Sequence, residues 1–272
     1  MLQDGQQFQL PIDSMASSMK DTLTSPWVSC YKPNAAAKLR LFCFPYAGSG
    51  ALIYRTWANT LPMSIEVFPV ELPGHGRRIG EAAFSDLMSL VKAIAPALTP
   101  FFDKPFAFFG HSMGAMISFE LAHELRENHG MGPVHIFISG RCAPHISDAD
   151  RIIYDLPEDR FVEELYRLNG TPREVFEHSE LMQLMVPLLR ADFEVCQTYQ
   201  YSPKPPLSCS ISAFGGLGDN EVPLEHLEAW REYTTRPFSM KMFVGDHFFL
   251  RTAESLLLHR ISQELQQLVR AL

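Results

Sequence analysis

Residues 108–116 read FFGHSMGAM, a G-x-S-x-G centred on Ser112 between an apolar run and a helical pattern. A serine placed there can be a nucleophile. Glycines at 110 and 114 let the chain turn sharply from strand to helix, which presents Oγ above a sheet and sets the Met113 N–H at a helix start. A tight turn without chemistry could use the same glycines, so the serine needs partners. Of ten histidines, His247 in FVGDHFFL follows the last strand-like run, the place a general base takes in the chain order nucleophile, acid, histidine. His111 adjoins the serine but sits inside the turn, where it cannot swing onto Oγ. Others, such as His123 and His129, fall on a helix as solvated side chains.

The third partner is a carboxylate that holds the imidazole tautomer and stabilises imidazolium. Asp219, in GGLGDNEVP, lies between Ser112 and His247 in the appropriate order. Asp192 in RADF and Asp246 beside the histidine compete for the role; Asp246 is the weaker, because a direct neighbour rarely reaches Nδ1. A solvated turn aspartate is the bland reading of Asp219. An oxyanion would take one N–H from Met113 and a second from the loop PYAGSG, at Ala47. That loop lacks G-x-G-x-x-G spacing and a P-loop lysine, so it is not a phosphate cradle. No H-E-x-x-H or Cys/His cluster implies a metal, and no cofactor is expected.

These residues need a scaffold. From residue 38, KLRLFCF, IEVFPV, PFAFF, VHIFISG, SISAFGG and FSMKMFVG read as six buried strands. Amphipathic stretches alternate with them: residues 84–98, the run after Ser112 ending at Gly130, and a closing helix from Glu254. Alternation of this kind implies right-handed crossovers and a mostly parallel, doubly wound α/β sheet. Residues 146–205 break the rhythm, with helical patterns DRFVEELYRLNG and SELMQLMVPLLRADFEVCQTY and no convincing strand. They read as a helical lid over the strand ends. Leu165, Leu168, Met182, Met185 and Leu189 exceed what a solvated hairpin needs, so some of them should face a substrate channel.

Composition narrows the class. The 272 residues are 46% hydrophobic and 20% charged, as in ordinary globular chains. The formal net charge of -8, without a long basic run, argues against nucleic-acid binding. Five scattered cysteines without a C-x-x-C pair favour reduced thiols and a cytoplasmic setting. No apolar stretch approaches the roughly 18 residues of a membrane span. Residues 1–23 read as a polar, mobile leader ahead of a single domain over 24–272, and they lack the pattern of a signal peptide.

In order, FCFPYAGSG, ELPGHGRR, FFGHSMGAM, LNGTP, LRADFEVCQTYQY, GGLGDNEVP and GDHFFL resemble the stand-alone type II thioesterases of nonribosomal peptide and polyketide synthases. That group includes the medium-chain acyl thioesterases of fatty acid synthesis. The resemblance covers roughly residue 24 to the C-terminus. It implies an α/β-hydrolase fold, a Ser112–Asp219–His247 triad and a lid over 146–205. It also implies an acyl or aminoacyl thioester on the phosphopantetheine arm of a carrier protein as substrate, cleared from misprimed or stalled modules by way of an acyl-serine. A chain-terminating medium-chain fatty acyl thioesterase and a small-molecule carboxylesterase are the alternatives. Ser49 stands in the first loop where a glycine-richer run is expected. The expected partners are acyl or peptidyl carrier domains, which are usually acidic, with the chain itself a monomer. Arg77, Arg78, Arg151, Arg160 and Arg190 are candidates for docking them, although each alone could pair with a nearby acid such as Glu158 or Asp159.

Overall fold

The six apolar runs become strands: β1 Leu39–Phe44, β2 Ile65–Pro69, β3 Phe106–His111, β4 His135–Ser139, β5 Ser210–Gly216 and β6 Phe238–Phe243. In the computed structural model, which describes residues 25–146, 152–170 and 173–272, they form one sheet ordered β2-β1-β3-β4-β5-β6. Every pairing is parallel. The expected leader, residues 1–23, lies outside the described residues.

The helices are α1 Trp57–Thr60, α2 Leu87–Leu98, α3 Met113–His129, α4 Glu158–Leu168, α5 Arg173–Glu177, α6 Ser179–Gln197, α7 Leu224–Glu228, α8 Phe249–Thr252 and α9 Glu254–Ala271. They cover both faces of the sheet, and that is why the strands read as continuous apolar runs. Phe42, Phe44 and Phe108 pack with α2 and α3 in one core. Their strand neighbours Leu41, Cys43 and Phe109 pack with Leu257, Ile261 and Leu265 of α9 in the other. Adjacent residues of one strand thus serve opposite layers, as the period of two requires.

Helix ends follow local chemistry. Asp86 caps α2 by accepting from the Ser89 N–H at 2.7 Å, so the helix starts at Leu87 and not at 84 as the apolar pattern implies. Gly130 ends α3 in the left-handed conformation, φ 63°.

The chain runs from β1 outward to β2, then returns past β1 to β3. Strand order therefore reverses between β1 and β3, and the loops leaving these two strands diverge to opposite faces around a crevice. Such a switch point is where open α/β sheets bind ligands. Between β4 and β5 the described residues contain α4, α5 and α6 and no strand. Ile153, Phe161, Leu165, Val186 and Leu189 form a third apolar cluster here, distinct from the two sheet cores. The short α5 was not visible in the sequence pattern.

Candidate active site

Ser112 occupies the turn between β3 and α3 with φ 53° and ψ -113°, a conformation that side chains rarely adopt. Holding it costs of order 1–3 kcal/mol, which the surrounding structure must offset. Part of the hold is the Ser112 N–H, which donates to the Ser139 carbonyl at 2.8 Å. The flanking glycines are demanded by close approach. A Cβ on Gly110 would lie 2.0 Å from the Gly114 carbonyl oxygen, and one on Gly114 would lie 2.1 Å from that of Phe44. Any side chain there would push α3 off the sheet.

His247 follows β6, and its Nδ1 lies 2.8 Å from Asp219 Oδ2 after β5. Asp219 Oδ1 accepts from the N–H groups of Glu221 at 2.9 Å and Val222 at 3.3 Å, which orients the carboxylate. An ionised Asp219 makes Nδ1 the protonated nitrogen, leaving Nε2 as the basic one. The rivals are engaged elsewhere. Asp246 accepts from the Phe248 N–H and Asn169 Nδ2. Asp192 accepts from the Gly48 N–H and pairs with His75.

His111 is buried beneath this pair, its ring centre 5.1 Å from that of His247. Its Nδ1 is 2.9 Å from Ser139 Oγ. Burial, then the nearby His247 and Arg251, push its pKa well below the usual histidine range. It is a neutral floor under His247 and puts no second charge beside it.

Ser112 and His247 border one cavity of about 280 Å³, together with Tyr46, Ala47, Val222 and Phe248. Its roof comes from the helical insertion: Leu165, Leu168, Leu189 and Phe193 line it. Met182 and Met185 do not. They pack inside the insertion's own apolar cluster, where an unbranched thioether fills gaps between helices. Ala47 thus shares the wall with Ser112. Met113 is the first residue of α3, and its N–H is among those a helix start leaves without an intrahelical acceptor. Ser112, His247 and Ala47 thus face one space, which is what proton transfer from the serine and backbone stabilisation of an oxyanion would both require.

A thioesterase domain model matches residues 39–264. The chain belongs to this thioesterase family. Gramicidin S biosynthesis protein GrsT of Aneurinibacillus migulanus is 49% identical over 82% of this chain and 88% of its own. A protein of Brevibacillus parabrevis named linear gramicidin dehydrogenase LgrE is 46% identical over 91% and 96%. Among solved structures, the type II thioesterase BorB from the borrelidin biosynthetic cluster aligns with TM-score 0.82 and 33% identity, covering 89% of this chain and 98% of that one.

The arginines of this thioesterase do not form the open patch expected of them. Arg78 is only 9% exposed at its side chain; it pairs with Glu81 and lies over the Trp27 ring. Arg190 donates to the Tyr154 carbonyl and stacks on Phe161, holding the insertion together. Arg77 and Arg160 are exposed, but each carries a carboxylate: Glu71 for the first, Glu163 for the second, and not Glu158 or Asp159. Arg151 lies outside the described residues. Three arginines that sequence reasoning passed over stand closer to the site, one of them Arg141 in the cavity lining. Arg167 lines the cavity and bridges Glu164 and Glu221. Arg251 lies over the rings of Tyr46 and Phe248, both cavity residues. Position i+4 from His247 on a helical turn was the available signal for Arg251.

Among the described residues no group of histidine, cysteine and acidic side chains is arranged to hold a metal, and no helix is long and apolar enough to cross a membrane.

Proposed function

We propose that this thioesterase hydrolyses acyl and aminoacyl thioesters on the phosphopantetheine arm of carrier proteins, clearing misprimed or stalled modules of a peptide or polyketide synthase. The observation that carries the reading is one cavity bordered by the elbow serine, the Asp219-bound His247 and the apolar residues of a helical roof. The biosynthetic setting is supported by relatives whose names place them in gramicidin biosynthesis and the borrelidin cluster.

In this mechanism His247 Nε2 takes the Ser112 proton as Oγ attacks the thioester carbonyl. The N–H groups of Ala47 and Met113 receive the oxyanion. Collapse expels the pantetheine sulfur, which takes the proton from His247. A thiol with a pKa near about 8.5 leaves more readily than an amine, so the acid step is undemanding. Water, deprotonated by His247, then attacks the acyl-Ser112 ester; the free acid leaves as His247 returns that proton to Ser112 Oγ. Leu165, Leu168 and Leu189 shape the acyl site, and carrier docking falls to cations at the cavity, with the half-exposed Arg167 as the candidate.

The dehydrogenase in one relative's name suggests a nucleotide-dependent reading, which the loop after β1 does not favour. Ile53 stands where a dinucleotide fingerprint needs a third glycine or alanine after Gly48 and Gly50. The Asp192 carboxylate already takes the Gly48 N–H that a phosphate would use.

The test is hydrolysis of acetyl-, aminoacyl- and medium-chain acyl-carrier protein by the pure enzyme, beside a small carboxylic ester. Release of acid from all three carriers, with the ester a poor substrate, is expected. Hydrolysis of the medium-chain carrier alone would indicate chain termination instead, and equal turnover of the free ester would indicate a carboxylesterase.

A further inference from the structure

A second buried histidine–carboxylate pair lies beside the active site, and its partners are informative. His75 Nε2 is 2.8 Å from Asp192 Oδ2, while its Nδ1 is 2.9 Å from the Pro73 carbonyl oxygen. Both ring nitrogens face acceptors. Neutral imidazole has one N–H and cannot satisfy both, so the ring is an imidazolium and Asp192 its counter-ion. Burial alone would pull this histidine's pKa down. The charge and hydrogen bond of Asp192, the Pro73 carbonyl and the charge of Glu71 outweigh that and raise it. The charged groups facing the ring are therefore Asp192 from α6 and Glu71 from the segment after β2. Glu71 is itself held by Ser29 at 2.6 Å and Arg77 at 3.1 Å.

The same Asp192 oxygen accepts from the Gly48 N–H at 2.6 Å. Gly48 has φ +75°, and the Ser49 N–H donates to the Tyr46 carbonyl at 3.0 Å. Residues 46–49 therefore form a turn with a left-handed third residue, as in type II, and Ala47 is its second residue. The peptide that Asp192 grips is the central peptide of that turn, directly after the peptide that carries the Ala47 N–H, so the grip anchors the turn that presents that N–H. One helical turn back on α6, Leu189 fills the space where a Gly48 side chain would be: its Cδ2 is 2.4 Å from that Cβ position. The roof helix thus touches the loop after β1 through one apolar contact, from Leu189, and one hydrogen bond, to Asp192.

We infer that the His75–Asp192 pair is a positioning element, locking the 46–49 turn against α6 so that the Ala47 N–H is aimed at the oxyanion. This rests on the assignment of Ala47 as oxyanion donor. It makes the hole depend on the seating of the roof helix. Asp192 touches no reacting atom in this arrangement; it acts through Gly48 and the turn.

The test combines Asp192→Ala, Asp192→Asn and His75→Gln. Asp192→Ala should lower kcat by about 10–100-fold, less than the about 10²–10³ of deleting a donor outright, with KM nearly unchanged. Ser112 phosphonylation by a fluorophosphonate should slow in parallel, because that reaction also develops charge in the hole. Asp192→Asn, which keeps an acceptor for Gly48 but no charge, should fall between wild type and alanine. In the wild type, kcat should decline as pH rises through the raised pKa of His75, and His75→Gln should lack that decline. A rise in KM alone would make Asp192 a roof-packing residue and overturn the proposal. Unchanged phosphonylation in the alanine variant would overturn it too. If Asp192→Ala does not fold, ¹⁵N spectra of wild-type His75 still decide: both ring nitrogens should be protonated at neutral pH, and a neutral-tautomer pattern refutes the pair. Failure of thioester hydrolysis with intact phosphonylation would remove the proposed substrate and leave this inference standing.

Discussion

Two histidine–aspartate pairs are each closed by a 2.8 Å contact, one at the cavity and one buried outside its lining, and their chemistry differs because of the second ring nitrogen. His247 is bound to Asp219 through Nδ1; its side chain is 18% exposed and borders the cavity with Ser112. His75 is bound to Asp192 through Nε2, is 2% exposed, and spends Nδ1 on a backbone carbonyl. The first ring keeps a basic nitrogen for a substrate proton. The second has none to give and can only hold charge and geometry. A carboxylate beside a histidine is therefore no mark of a base until the other nitrogen is accounted for.

The largest effect that could break this comparison is at the nucleophile. Ser112→Ala should lower kcat by about 10⁶ without unfolding the chain, since nucleophile and base act as a unit. Turnover near wild type, or fluorophosphonate label mapped to another residue, would separate the cavity from the chemistry.

Next comes an exchange of the same substitution between the two pairs. Asp219→Asn should cost about 10⁴ in kcat, because the amide favours the wrong tautomer of His247. Asp192→Asn should cost no more than about tenfold, because the Gly48 acceptor survives and the Ala47 donor stays in place. Steady-state kinetics on one acyl-carrier substrate compares them directly. The reverse order would mean that the wrong pair has been given the base.

The sequence rivalry between these aspartates had a physical basis. Both do bind a histidine, but Asp192 meets one that is 117 positions away, and no local pattern in ELPGHGRR or RADF announces that meeting. Order along the chain, by contrast, pairs Asp219 with His247 and puts Ser112 on the same cavity, because each stands at the C-terminal end of its own strand. The strands themselves were legible for the same reason: burial on both faces leaves uninterrupted apolar runs, as in LRLFCF. The β6 edge is the exception, reading apolar while most of its residues are only half-buried. Helix periodicity located α4 and α6, yet could not say which apolar face meets the cavity. Hence Leu165 and Leu189 line it while Met182 and Met185 turn into the insertion. The five residues of α5 are too few to show a period.

The smallest expected effect concerns stability and separates the pairs by charge alone. His75 has its pKa raised in the folded protein, where Asp192, Pro73 and Glu71 outweigh burial. A group raised on folding contributes stability that is complete below its unfolded value, about 6.5 for histidine, and that is lost as pH climbs through the folded value. Thermal melting of wild type against His75→Gln should therefore show its widest gap in Tm at mildly acidic pH. The gap should narrow as pH rises, down to a residue set by lost packing. Asp192→Asn should show the same trend, since it removes the other half of the same ion pair. Asp219→Asn removes the partner of a half-open ring whose carboxylate also accepts from two backbone N–H groups, so its Tm difference should not follow the His75 titration. A His75→Gln gap that stays constant across the range would mean that the ring is neutral and held by shape, and the charge contrast between the two pairs would fall.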